Sequence, residues 1–206
     1  MYIPVRRIFI EQSPLGIALY RLKMRMGLPM LPPHILKQRV VKEYADRFSI
    51  RTLVETGTYT GDMVAATRRK FKRIVSIELD ETLWRKAKEK FARYEYISII
   101  RGDSSEVLPG VVASVPGPCL FWLDAHYSGG ITARGDVETP IMKELQVILD
   151  RATRGDVVLI DDARHFVGKN DYPTIAQVQD LVTKKRPDMS LVSKDDIIRN
   201  SSTGNR

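Results

Sequence analysis

Acidic and histidine side chains follow two short apolar segments in the second half of the chain. Asp124 follows the first segment, with His126 two residues later, and Asp161-Asp162 follows the second, with His165 beyond it. Carboxylates that are brought together repel one another, and a bound cation relieves that repulsion. A neutral imidazole near them is suited to remove a proton from a reacting hydroxyl group. The pattern predicts acid–base or metal-assisted chemistry, although such residues also occur as solvated loop caps.

A glycine-containing loop earlier in the chain has the features of a ligand-binding turn. Gly57 allows a tight turn out of a strand, and Gly61 lies where the next helix begins. The dinucleotide spacing G-x-G-x-x-G is missing, and Glu55 would repel a pyrophosphate but attract the ammonium group of a methionine moiety. Glu78, at the end of the next strand, can accept hydrogen bonds from both hydroxyls of a ribose. The alternatives are an ordinary loop and an acid that caps the following helix.

From Arg51 onwards, short β-branched segments alternate with amphipathic segments. This alternation is typical of a parallel sheet covered by helices on both faces, in which ligands bind at the carboxyl ends of the strands. Strands are predicted at 53–55, 74–78, 97–100, 120–124 and 157–161. The clearest helices are predicted at 62–71, 81–94, 140–149 and 174–185, with Thr139 as an N-cap before Pro140. A closing hairpin is predicted from 189–193 and 197–199.

The first fifty residues are predicted to form a helical appendage, 1–50, packed on a single domain, 51–206. Prolines keep the helices there short, and one good helix is predicted over 34–48. Its apolar side chains are expected to face the sheet, while Lys37, Arg39, Lys42 and Arg47 stay outside. Residues 1–50 hold nine Lys and Arg against three Asp and Glu, which accounts for most of the net charge of +8. Such a region attracts nucleic acid, an anionic membrane or an acidic substrate, although a solvated surface is commoner.

Composition fits an ordinary globular protein, with 43% apolar and 28% charged residues in a chain of 206. No apolar stretch is long and uncharged enough to span a bilayer, and the start lacks the pattern of a signal peptide. Cys119 is the only cysteine, so no intrachain disulfide is expected. A cytoplasmic location follows as an expectation, and homo-oligomerisation is left open.

The motifs together resemble those of the class I S-adenosylmethionine-dependent methyltransferases: E-T-G-x-x-x-G is followed in order by S-I-E-L-D, R-G-D-S and W-L-D-A-H. The resemblance implies a Rossmann-like α/β fold, a doubly wound, mostly parallel seven-stranded sheet with helices on both faces. It also implies S-adenosylmethionine as the cofactor, with Glu55 and Gly57 at its methionine end, Glu78 at its ribose, and Asp103 with Ser104 at its adenine edge. The full set of cofactor-binding residues implied is Glu55, Gly57, Thr58, Tyr59, Gly61, Glu78, Leu79, Asp103, Ser104 and Asp124.

The two acidic clusters are similar to those of the macrocin O-methyltransferase and cephalosporin hydroxylase subgroup. In that subgroup an Asp after the fourth strand and an acidic pair after the fifth bind a divalent cation. The similarity implies Mg²⁺ held by Asp124, Asp161 and Asp162, with His126 or His165 as the general base. His126 is favoured because it lies two residues from Asp124, which is itself a candidate catalytic residue.

Three functions remain open at this level. The favoured one is O-methylation of a hydroxylated small molecule, such as a sugar or a secondary metabolite. An RNA methyltransferase that uses the basic N-terminal region is an alternative, and a nucleic acid partner is less favoured than a small-molecule acceptor. Asp124-Ala125-His126-Tyr127 lacks the Asn/Asp-Pro-Pro-aromatic motif usual for methylation of base amino groups. The third function is binding of S-adenosylmethionine without catalysis.

Overall fold

The computed structural model describes residues 13–124, 139–151, 153 and 155–203. A seven-stranded sheet with the order β3-β2-β1-β4-β5-β7-β6 forms its centre. Strands β1 to β5 are parallel, and β7 runs antiparallel to β5 and to β6. The predicted mostly parallel sheet and its closing hairpin are therefore confirmed. The strands are β1 (Thr52–Thr56), β2 (Arg73–Glu78), β3 (Ile97–Arg101), β4 (Cys119–Leu123), β5 (Val157–Ile160), β6 (Met189–Lys194) and β7 (Ile197–Ser202).

The helices agree with the sequence pattern from residue 51 onwards, with shifted ends. The expectation of one good helix in the first fifty residues is wrong, because α1 precedes the predicted helix. Pro14 opens α1, where its fixed φ suits the first turn and its missing N–H costs nothing. Pro140 precedes α6 instead of opening it. The helices are α1 (Pro14–Arg25), α2 (His34–Arg47), α3 (Asp62–Thr67), α4 (Glu81–Phe91), α5 (Ser104–Ser114), α6 (Ile141–Leu149) and α7 (Ile175–Lys185).

Two layers of helices cover the two faces of the sheet. Alternate strand residues point to opposite faces, so Leu53 joins the core under α2, α3 and α4, while Val54 joins the core under α5, α6 and α7. Helix α2 belongs to the first layer, because Val40 and Val41 are buried with Leu53 and Ile74. The N-terminal region thus supplies part of the main hydrophobic core.

The strand order determines where the ligand-binding crevice of the sheet lies. Strand β1 lies between β2 and β4, so the chain crosses to one side of β1 and later returns to the other. Connections that diverge in this way leave a crevice at the carboxyl ends of the strands, where ligands of open α/β sheets bind. Among the residues described, no helix has both the length and the apolar character needed to cross a membrane.

Candidate functional site

The loop after β1 is held tightly against the sheet. The backbone N–H groups of Gly57 and Thr58 both donate to the carbonyl of Ile77, at 3.0 and 3.2 Å. Gly57 has φ +83° and Gly61 has φ +74°, a region that side chains rarely adopt. A Cβ atom on Gly61 would lie 2.7 Å from Cε2 of Phe91, so this glycine also allows close packing against α4. Both glycines are therefore required by the backbone geometry.

Replacing Gly61 with Ala is expected to destabilise the protein by roughly 1–3 kcal/mol, since the new Cβ meets both a left-handed backbone and the Phe91 ring. Gly110→Ala is the matched control, because Gly110 lies inside α5 with no atom within 4 Å of an added Cβ. That change is expected to stabilise the helix by about 0.5–1 kcal/mol. Urea unfolding of both variants measures the difference, and equal stability would show that the loop relaxes without cost.

A buried hydrogen-bond chain lies under the loop. Ser76 donates to the carboxyl group of Glu55, and the hydroxyls of Thr58 and Ser76 are hydrogen-bonded to each other. Burial raises the pKa of Glu55 to about 8; the hydrogen bond from Ser76 opposes this rise, while the charges of Asp124 and Glu78 add to it. A cationic group bound beside Glu55 would favour its ionised form.

Glu78 holds the loop from the neighbouring strand. Its two carboxyl oxygens accept hydrogen bonds from the backbone N–H of Tyr59 at 2.7 Å and of Asp80 at 3.0 Å. Burial raises its pKa, and these two backbone hydrogen bonds oppose the rise. Asp80 itself caps α4 by accepting from the N–H of Leu83 at 2.8 Å. The capping role, which was the alternative for Glu78, therefore belongs to Asp80.

The residues predicted for the adenine edge lie beside Glu78. Arg101 pairs with Glu78 in the register of β2 and β3, and the Gly102 N–H donates to the Glu78 carbonyl at 3.0 Å. Asp103 caps α5 by accepting from the N–H of Ser105 at 2.8 Å, and Ser104 is buried. The structure thus brings the predicted ribose and adenine residues to adjacent strand ends, and their contact with a ligand stays a prediction.

Glu144 of α6 is a buried acid near the end of β1 that the sequence reasoning did not consider. Neither of its buried carboxyl oxygens has a hydrogen-bond partner among the residues described, and the same is true of the Thr56 hydroxyl at the end of β1. Burial raises the pKa of Glu144 to about 7, an effect that the nearby hydroxyls of Ser104 and Thr56 partly oppose without reaching hydrogen-bonding geometry. The signal was available in the sequence, since Glu144 stands between Ile141 and Leu145 on the buried face of its helix.

The acidic residues after β4 and β5 meet at the same edge, because these two strands are neighbours. The Asp124 N–H donates to the carbonyl of Thr56, and the Asp161 N–H donates to the carbonyl of Leu123, each at 3.0 Å. The ends of β1, β4 and β5 therefore follow one another along the crevice. His126 lies outside the described residues, so its predicted role as a base stays a prediction.

Lys37 of α2 enters this acidic edge. Its Nζ donates to Oδ2 of Asp161 at 2.6 Å and lies 3.2 Å from Oδ1 of Asp162, and only 16% of the Lys37 side chain is exposed. The expectation that Lys37 stays outside is wrong. Lys37 lies one helical turn before Val41, which is fully buried, so both face the sheet. Arg164 adds a second cation, with Nη1 2.7 Å from Oδ1 of Asp162.

The charge balance at Asp161 and Asp162 is therefore supplied by the chain itself. Burial and the nearby Asp124 raise the pKa of Asp161 well above its usual range, whereas Lys37 opposes this rise. Within 13–124, 139–151 and 155–203, no group of three or more His, Cys, Asp or Glu side chains is arranged to hold a metal ion. These residues do not fit a divalent cation between Asp161 and Asp162, because the Lys37 ammonium group lies there.

The two described histidines near this edge differ in environment. His165 is exposed, and its ring packs against Tyr172 with 5.4 Å between centroids. His34, one turn before Lys37 on α2, is partly buried, and burial with the neighbouring Lys37 lowers its pKa against the opposing charges of Asp62 and Asp124. It lines a cavity of about 330 Å³ between α2 and α3, together with Ile35, Gln38, Asp62, Ala65 and Ala66. His34 thus offers a neutral imidazole that the sequence reasoning did not consider.

The sequence matches no protein-family model and no curated protein. Among solved structures, the chain is similar to an O-methyltransferase of tomaymycin synthesis from Streptomyces achromogenes in complex with S-adenosylmethionine, with 20% identity over 88% of this chain and 86% of that one and a TM-score of 0.61. An O-methyltransferase from Bacillus cereus in complex with S-adenosylhomocysteine has 13% identity over 90% of this chain and 89% of that one, with a TM-score of 0.62. A Podospora anserina methyltransferase bound to S-adenosylhomocysteine has 16% identity over 93% of this chain and 89% of that one, with a TM-score of 0.58. The chain has the class I methyltransferase fold.

Within this methyltransferase fold, the described residues fit a nucleoside ligand that carries positive charge. The loop glycines leave room for a close approach, Glu78 offers acceptors at the end of β2, and Glu55 places a buried carboxyl under the loop. The orphaned oxygens of Thr56 and Glu144 add acceptors at the end of β1. Such buried polar atoms normally find partners, so their clustering here supports a polar ligand.

Proposed function

We propose that this protein is an S-adenosylmethionine-dependent methyltransferase that methylates a hydroxyl group of a small molecule. The observation that carries the proposal is the pair of buried carboxyls, Glu55 and Glu78, on the two sides of the 57–61 loop. A bound ligand that carries sulfonium and ammonium groups favours the ionised form of these carboxyls, whereas a pyrophosphate opposes it. The motifs in this loop and after β2, β3 and β4 support the same assignment.

In the proposed complex, the chain holds the cofactor along the carboxyl ends of β1, β2 and β3. Glu78 would accept hydrogen bonds from the ribose, Asp103 and Ser104 would contact the adenine, and Glu55 would face the methionine end. When bound, S-adenosylmethionine supplies a methyl group that is activated by its attachment to sulfonium sulfur. The protein then has to orient an acceptor hydroxyl in line with that methyl group and accept its proton.

We propose His34 as the residue that accepts this proton. Its imidazole lines the cavity between α2 and α3, and its lowered pKa keeps it neutral and able to take a proton at neutral pH. The cavity volume of about 330 Å³ lies in the range of small-molecule sites. His126 is the second candidate, on the sequence argument alone.

The proposed reaction does not use the predicted Mg²⁺ site. Its ligands would be Asp124, Asp161 and Asp162, but Lys37 already forms ion pairs with the last two. We propose instead that the ammonium group of Lys37 keeps these carboxylates in place beside the acceptor. No step of the proposed reaction is routed through a metal ion.

The first experiment combines cofactor binding with methyl transfer. Calorimetry is expected to show S-adenosylmethionine binding, and labelled methyl groups are expected to appear on members of a panel of hydroxylated sugars and phenols. Binding without transfer to any acceptor would favour the non-catalytic alternative. Absence of cofactor binding would overturn the proposed function altogether.

His34→Gln is expected to lower kcat about 10²–10⁴-fold, the usual contribution of a general base, with cofactor affinity unchanged. Gln38→Ala is the matched control, because Gln38 lines the same cavity one turn further along α2. Both rates are measured on the acceptor found by the panel. Full activity of His34→Gln together with a large loss in His126→Gln would assign the base to His126 instead.

A further inference from the structure

Helix α1 presents a stripe of apolar side chains to solvent. Leu15, Leu19, Leu22 and Met26 are 64%, 36%, 54% and 64% exposed. Their spacing of four, three and four residues places them within roughly 60° of the helix circumference, at about 100° per residue. Exposed apolar residues are ordinary when they are scattered, but a contiguous stripe marks an interaction surface. We call these four residues the apolar stripe.

The opposite face of α1 fixes the stripe in this orientation. Ile17 and Tyr20 are buried, and they pack with Leu36 of α2 in a small core of their own. The two faces are about 150° apart, so rotating α1 to bury the stripe would expose Ile17 and Tyr20. Leu28 and Leu31, which follow the helix, are also exposed.

Cations flank the stripe on both sides. Arg21 and Arg25 lie along one side of the helix, and Lys23 lies on the other, each between the stripe and the packed face. No Asp or Glu occurs between residues 13 and 42. The surface is therefore apolar at its centre and positive at its borders.

We propose that the apolar stripe and its flanking cations form a docking surface for an anionic lipid membrane. A helix with a cationic border and an apolar centre lies in the plane of a bilayer, with its apolar side chains among the acyl chains and its cations at the headgroups. This surface is distinct from the proposed methyl-transfer site.

Other occupants fit the surface less well. Two copies of this chain would bring like charges together across the stripe, which opposes dimer formation through it. Nucleic acid would be held by the three cations but would leave the leucines exposed to water, since phosphate contacts are electrostatic. An anionic bilayer satisfies both the charge and the apolar area.

The test is flotation of the full chain with vesicles of phosphatidylcholine alone and of phosphatidylcholine with phosphatidylglycerol. We expect binding to the anionic vesicles that weakens as salt is added. The triple variant Leu15→Gln, Leu19→Gln, Leu22→Gln is expected to lose at least tenfold in partitioning. Arg21→Gln, Lys23→Gln, Arg25→Gln should lose a similar amount, whereas the control Lys86→Gln, Lys88→Gln, Arg93→Gln, which removes three exposed cations elsewhere, should bind as wild type.

Three results would overturn the proposal. One is the absence of binding to anionic vesicles at low salt by the folded wild-type chain. Another is binding that the leucine triple variant retains, which would show a purely electrostatic contact. The last is self-association in light scattering that the leucine triple variant abolishes while vesicle binding is absent, which would assign the stripe to a second copy of the chain. Circular dichroism of each variant confirms that its fold is intact.

Discussion

The Lys37→Met variant is expected to be less stable than the wild type by roughly 2–4 kcal/mol at neutral pH. Methionine fills a similar volume but leaves the buried Asp161 without its nearest cation and removes one of the two cations that pair with the buried Asp162. Breaking a buried ion pair usually costs about 3–5 kcal/mol, and Arg164 still pairs with Asp162, which reduces the loss. Urea unfolding measures the effect. Arg39→Met, two residues along α2 at an exposed position, is the control and should change stability little.

The same variant decides between Lys37 and a metal ion at this position. Removing the ammonium group leaves the two carboxylates without this counter-charge, so millimolar Mg²⁺ is expected to raise the melting temperature of Lys37→Met by binding its folded state. The wild type should show no such rise, and EDTA should leave its turnover unchanged. If Mg²⁺ stabilises the wild type and EDTA abolishes its turnover, the chain uses the metal and the role proposed for Lys37 is wrong.

Glu78→Ala is expected to weaken S-adenosylmethionine binding by about 1.5–3 kcal/mol, the usual scale for hydrogen bonds to a charged group. The variant loses the acceptor proposed for the ribose and also leaves the N–H groups of Tyr59 and Asp80 without their carboxylate. Calorimetry gives the affinity. Glu89→Ala, at an exposed position on α4, removes the same charge away from the loop and should bind like the wild type.

A conservative variant separates the two effects of this change. Glu78→Gln keeps one oxygen acceptor of similar size, so it is expected to fall between the wild type and Glu78→Ala in affinity. Urea unfolding shows whether either variant has lost the loop structure. An unchanged affinity in a folded Glu78→Ala would refute the assignment of this residue to the ribose.

The sequence by itself determined the sheet and the position of the loop. Val54, Ile77 and Phe121 lie in β-branched or apolar runs whose burial in parallel strands requires little more than local pattern. Gly57 and Gly61 were recognisable because a tight turn out of a strand needs the positive φ that both adopt, and Gly61 in addition leaves no space for a side chain. Asp80 and Asp103 follow strands and cap helices through hydrogen bonds to residues two or three positions away, which a local pattern also indicates.

Only the tertiary structure decided what completes the site. Lys37 and Asp161 are 124 residues apart in the chain. Their ion pair exists because α2 packs on the face of the sheet to which β4 and β5 contribute buried side chains. The burial of Glu144 next to Thr56 likewise depends on how α6 lies under the end of β1. Such contacts depend on the packing of distant elements, and no local periodicity contains that information. The sequence therefore indicated where a ligand is expected to bind, while the fold decided which charges surround that position.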